Sequence, residues 1–163
     1  MPTRTAGVAE RLMKATSNLP FTVTPNDITI VNATGAATLV GSLVTLDFAA
    51  TGFATSGANA YDYNRCIAVA TAHLTPSGGF VFAVAQTAAA NGLPVRVRLE
   101  GDTLLLVGTG NAAVNTLLMG VNASNSCATA TTGLLVIARS KESGAGATPI
   151  RAYFKGTGIC TSA

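Results

Sequence analysis

From Phe21 onward apolar residues recur with a period of two, in short runs punctuated by glycine, asparagine and proline, and this restricts the chain to β architectures. Val95, Val97 and Leu99 alternate with Arg96, Arg98 and Glu100, the pattern of a half-buried strand. Gly101 and Asp102 supply a two-residue turn, which predicts a hairpin into residues 103–107. A second hairpin is expected between Cys66–Leu74 and Phe80–Gln86, through the turn formers of residues 75–79. Further strands are expected over 27–31, 43–48, 116–121, 134–139 and 150–155, with longer loops over 51–60, 122–132 and 141–149. The pattern implies an all-β domain over residues 21–163, a small antiparallel β-barrel or sandwich. Residues 1–20 are expected to form an extended or short-helical N-terminal arm. Thr5 can cap a helix whose pairs Val8 with Leu12 and Ala9 with Met13 share a face, and Asn18 and Pro20 end it. A helix this short does not hold alone in water, so the arm must lie on the body or on a neighbour.

A chain of 163 residues is expected to form one main domain. Its surface is unusual: charged residues are 10% of the sequence, against about 25% in an average soluble domain. Threonine, serine, asparagine, glycine and alanine must therefore cover much of it, a surface weakly protected against association. Burial by copies of the chain or by a larger assembly is the expectation, with a trimer first and a dimer next. The net charge of +3 is uneven. Arg4, Arg11 and Lys14 against Glu10 give the first twenty residues +2; Arg139, Lys141, Arg151 and Lys155 against Glu142 give the last twenty-five +3. The body between is weakly acidic. Basic ends can meet an acidic protein surface or a nucleic acid, but no run of lysine and arginine and no basic-aromatic interleaving favours the second.

The longest apolar runs, such as Phe80–Ala85 and Leu134–Ala138, fall far short of the roughly 18 residues a membrane helix needs. Arg11, Lys14 and Asn18 break up any early apolar stretch, so the chain is expected to begin at Met1 and to stay in the cytoplasm where it is made. Cys66, Cys127 and Cys160 have neither disulfide-framework nor zinc-site spacing and read as buried free thiols.

Gly108-Thr109-Gly110-Asn111-Ala112-Ala113 follows a strand and fits a dinucleotide-binding fingerprint superficially. No Asp or Glu lies between Asp102 and Glu142 to hold a ribose, so a glycine-rich turn is the better reading. The glycine-rich residues 143–148 lack a phosphate-binding lysine. His73, the single histidine, sits in a strand-like run with nothing in the sequence to pair it with a nucleophile, and Glu100 and Asp102 flank a turn. Two sequons, at Asn32 and Asn122, matter only in a secretory pathway. Tyr61, Tyr63 and Arg65 alternate with Asp62 and Asn64; tyrosine and arginine anchor interfaces, so this stretch is a candidate subunit contact, with coverage of a barrel end as the competing role. No catalytic residue, metal site or cofactor is expected, and the chain reads as something other than an enzyme.

Residues 79–90 (GFVFAVAQTAAA) and 95–101 (VRVRLEG) resemble the central part of the head decoration, or cement, proteins of tailed bacteriophages. Residues 40–47 (VGSLVTLD) resemble their early strand, and 134–138 (LLVIA) with 150–156 (IRAYFKG) their closing strand pair. The resemblance implies a β-barrel-like virion protein on the capsid exterior that binds the major capsid protein between capsomers and strengthens the shell against the pressure of packaged DNA. It implies no membrane and no direct nucleic-acid contact. The arm lies outside the resemblance; Arg4, Arg11, Leu12, Met13 and Lys14 combine an apolar stripe with charges and are expected to clamp it onto an adjacent shell protein. The rival readings are a fibre or adhesin module that recognises a host surface, and a main shell or pilus-type subunit. A sugar site usually wants exposed aromatics, and this chain has no tryptophan and three tyrosines.

Overall fold

The computed structural model describes residues 26–47, 65–74, 80–108, 110–131 and 134–160. The expected arm, the loop over 51–60 and the turn over 75–79 lie outside the described residues. Within them the chain is β-rich, as its period-two pattern requires.

The first five strands are β1 (Asp27–Asn32), β2 (Leu43–Leu46), β3 (Arg65–Ile67), β4 (Phe82–Ala85) and β5 (Pro94–Arg98). They close into a barrel in the order β1-β3-β2-β4-β5, β5 returning to β1 from Asp27 opposite Arg98 to Val31 opposite Pro94. One pair, β1 with β3, is parallel. The remaining strands are β6 (Glu100–Leu106), β7 (Asn111–Ala112), β8 (Leu117–Gly120), β9 (Cys127–Thr129), β10 (Leu135–Ser140), β11 (Gly144–Ala145) and β12 (Pro149–Cys160). Five of them form a sheet in the order β6-β12-β10-β8-β9, while β7 and β11 pair with each other. A parallel bridge between Val107 and Cys127 then joins the chain just past β6 to β9, so the edges of this sheet also meet.

The two halves follow one plan. With β7 and β11 set aside, each set runs first, third, second, fourth, fifth and back to first, and in each the first and third strands make the parallel contact. The two units share a core. Strands β2 and β4 are buried along their whole length and so face apolar surroundings on both sides. Val44, Leu46, Ala83 and Ala85 point into the first barrel with Ile30, Val95 and Val97. Leu43, Phe82 and Val84 point the other way and join Leu105, Leu118, Ile137, Ile150 and Phe154 from the second unit. Gly41 stitches the units together: its N–H donates to the Ala85 carbonyl at 2.8 Å and its carbonyl accepts from the Leu106 N–H at 2.8 Å. That needs φ of +88°, with a Cβ position 3.2 Å from the Leu106 nitrogen, so only glycine fits without strain.

Several expectations are corrected. The segments around Gly101 do not form a hairpin: β5 pairs with β1 and β4, whereas β6 pairs with β12. Gly101 lies within β6 opposite Phe154, and Leu99 marks the passage from one unit to the next. Nor do Cys66–Leu74 and Phe80–Gln86 pair, because β2 lies between β3 and β4. Turn chemistry fixes local reversals, but here barrel closure recruits strands distant in sequence. Thr71–Leu74, read as strand, is a 3-10 turn. The supposed loops over 122–132 and 141–149 contain β9 and β11, and the glycine-rich fingerprint contains β7 rather than the start of a helix.

Candidate interaction surface

The titratable groups of the interior are engaged. His73 is buried in the 3-10 turn, and its Nδ1 accepts the Ala70 N–H at 3.0 Å and lies 3.0 Å from the Thr45 hydroxyl. An Nδ1 that accepts a backbone N–H carries no proton, so Thr45 donates to it and the ring proton sits on Nε2. The sequence did not pair this histidine with a hydroxyl. A Thr-His pair has the parts of a nucleophile and its base, but Thr45 is fully buried, so a substrate has no path to its oxygen. Burial lowers the His73 pKa, partly offset by the Asp47 carboxylate. The unfolded chain therefore takes up this proton at a higher pH than the folded one, and the stability from neutral His73 is complete above about pH 6.5 and is lost as pH falls below it. With one histidine in the chain, the urea midpoint is expected to drop between pH 7.5 and 5.5, and to drop less in His73→Gln.

Cys66 and Cys127 are free and buried, and burial pushes their thiols up to about 11 and about 12, which leaves them unreactive. Among the described residues no group of His, Cys, Asp and Glu is arranged to hold a metal. Arg65, from the predicted contact stretch, opens β3 and donates from Nε to Asp47 at 2.7 Å. Tyr61 and Tyr63 lie outside the described residues, as do Arg4, Arg11, Leu12, Met13 and Lys14.

The outer face of the second sheet gathers groups that sequence reading had left scattered. In β12, Ile150, Ala152 and Phe154 point into the core, so the alternate residues Arg151, Tyr153 and Lys155 point out. Register places Tyr153 between Asp102 of β6 and Arg139 of β10, and Lys155 beside Glu100. The four cations of the C-terminal segment, Arg139, Lys141, Arg151 and Lys155, thus belong to one sheet region. Lys141 pairs with Asp102 at 2.6 Å, the Tyr153 hydroxyl donates to Glu100 at 3.2 Å, and Glu142 accepts the Arg151 backbone N–H at 2.6 Å. Arg139 donates to the Asn115 side chain. Among the described residues no carboxylate lies within ion-pair distance of Arg139, Arg151 or Lys155.

A hollow of about 390 Å³ opens on this face, lined by Leu117, Val136, Ile137, Arg139, Tyr153 and Lys155. It lies beside a slip in register. Val136 lies opposite Ile159 and Ala138 opposite Phe154, so residues 155–158 of β12 stand against Ile137 alone. There β12 leans onto the first barrel instead: the Gly156 N–H donates to the Leu99 carbonyl at 2.9 Å, and a Cβ at Gly156 would stand 2.3 Å from the Phe82 carbonyl oxygen. The alternation over 150–155 was the available sequence signal for this face; the slip had none.

No family model matches the chain, and no curated protein matches it. Among solved structures, the N base of the head fibre protein gp8.5 of bacteriophage phi29 matches with a TM-score of 0.54 and 10% identity, over 82% of this chain and 96% of that one. The chain is similar in fold to that base. The likeness extends over both units, and at this identity it concerns the fold.

Proposed function

We propose that this chain is a structural protein of a phage virion that seats on the outer surface of the capsid, between capsomers, and stabilises the shell against the pressure of packaged DNA. The observation that carries the reading is the likeness of the paired units to the base of a phage head fibre, over most of both chains. The low charge, the small-residue surface and the resemblance of residues 40–158 to decoration proteins support it independently. Binding the assembled shell and not its separated subunits would shift the equilibrium towards assembly by mass action.

A second reading, a fibre base that carries a recognition module outward, is favoured by the same likeness and also places the chain on the head. Copy number separates the two: a decoration protein is expected at the same order of abundance as the shell protein in purified particles, and a fibre at a small fraction of it. Complete absence from the particles would overturn both readings. Particles lacking the chain are expected to release DNA at a lower temperature. Deleting residues 1–16 is expected to weaken shell binding if Arg4, Arg11, Leu12, Met13 and Lys14 clamp the arm to a neighbour; unchanged binding would remove that role.

A further inference from the structure

We infer that the hollow between β10 and β12 docks an acidic segment of the shell protein, an apolar side chain of that segment filling the space beside Tyr153 while its carboxylates meet Arg139 and Lys155. The inference rests on the proposed function and names the surface and the partner chemistry it would use. Three observations carry it. The hollow has an apolar side formed by Leu117 and Val136. Tyr153, 44% exposed, stands at its side, and exposed tyrosine beside arginine is the composition of an interface anchor. The charged residues lining the hollow are cations, Arg139 and Lys155, which like Arg151 meet no carboxylate among the described residues; Glu100, Asp102 and Glu142 lie outside the lining and are engaged by Tyr153, Lys141 and the Arg151 N–H.

The same charge pattern argues against other occupants. A second copy seated face to face would set two cation-lined hollows towards each other and supply neither with an acidic segment. A nucleic acid draws its affinity from many phosphate contacts along a groove, but here a few cations stand against an apolar side, with Glu100 and Asp102 beside them. An acidic polypeptide segment with an apolar anchor satisfies both the apolar side and the cations.

The test uses the full chain and purified shells of the capsid protein from the same phage, lacking this protein. Wild type is expected to co-sediment with shells, less so as salt rises from about 0.05 to about 0.5 M. Both Tyr153→Ala and the double variant Arg139→Glu, Lys155→Glu are expected to weaken binding by about tenfold or more, with thermal midpoints near wild type because the side chains are at the surface. If wild type binds shells and both variants bind as well as it does, the docking surface is wrong and the proposed function stands. If wild type does not bind shells, the proposed function fails and the inference with it. A gel shift with duplex DNA that the double variant abolishes, without loss of shell binding, would assign the face to nucleic acid. Loss of a dimer in light scattering would assign it to a second copy, and a large fall in thermal midpoint to another part of the same chain; each overturns the inference.

Discussion

Phe82→Ala is expected to lower the free energy of unfolding by about 3–5 kcal/mol, a large part of the roughly 5–15 kcal/mol that holds a domain folded. For a chain of this size that corresponds to a fall in Tm of about 6–20 °C. The side chain is fully buried, and its position makes the loss informative. Phe82 sits in β4, a strand of the first barrel, but its ring belongs to the core it shares with Leu105, Ile137, Ile150 and Phe154 of the second unit. Its carbonyl meanwhile packs against Gly156 of β12. Removing the ring opens a cavity at the junction, where neither unit can collapse to fill it without breaking the Gly41 and Gly156 hydrogen bonds. The unfolding transition should stay single in wild type and variant, read by far-UV circular dichroism and by calorimetry. A variant that unfolds in two steps, one at the wild-type midpoint, would mean that the units are stable separately and that the shared core is marginal.

The same residues explain how much of the molecule was legible beforehand. Alternation over 95–100 and 150–155, the strand-like run at 43–48 and the continuous apolar run at 80–85 located β5, β12, β2 and β4, because strand formation and burial leave their mark in local pattern. Partner choice left no such mark. Gly101-Asp102 has the chemistry of a hairpin turn, yet it lies within β6, just past the passage at Leu99, and pairing with β12 outweighs the local turn. The brief strands β7, β9 and β11 were invisible because strands so short show no period. Of the candidate surface, the cations of the C-terminal segment were countable, and the shared side of Arg151 and Lys155 followed from alternation in β12. The hollow lies beside the slip at Ile137, where β12 meets the first barrel through Gly156. Sequence showed the charges; tertiary packing set the hollow among them.

Asn32→Ala is expected to destabilise the protein by about 2–4 kcal/mol, more than a surface asparagine could, because four hydrogen bonds converge on a fully buried amide. Its Nδ2 donates to the carbonyls of Ala36 at 2.9 Å and Ala89 at 3.0 Å, and its Oδ1 accepts from the Thr34 N–H at 3.1 Å and the Thr34 hydroxyl at 2.7 Å. The side chain thus uses its whole bonding capacity, two donors and one doubly accepting oxygen. It ties the end of β1 to the turn that follows and to the strand-like residue Ala89, which itself bridges to Thr38. Truncation removes the donor and the acceptor halves of this set together; the Ala36 carbonyl, at an exposed position, and the half-buried Thr34 can turn to water, so the lost bonds and the space left at the buried amide set the cost. Asn32→Asp separates the two: it keeps the acceptor but removes both donors and brings a negative charge beside two carbonyls, so it should cost as much as alanine at pH 7 and less as pH falls towards the carboxylate range. Urea unfolding of wild type and both variants at pH 7 and pH 5 checks this. An Asn32→Asp protein as stable as wild type at pH 7 would mean that the amide donors contribute little and that the turn is held by its backbone.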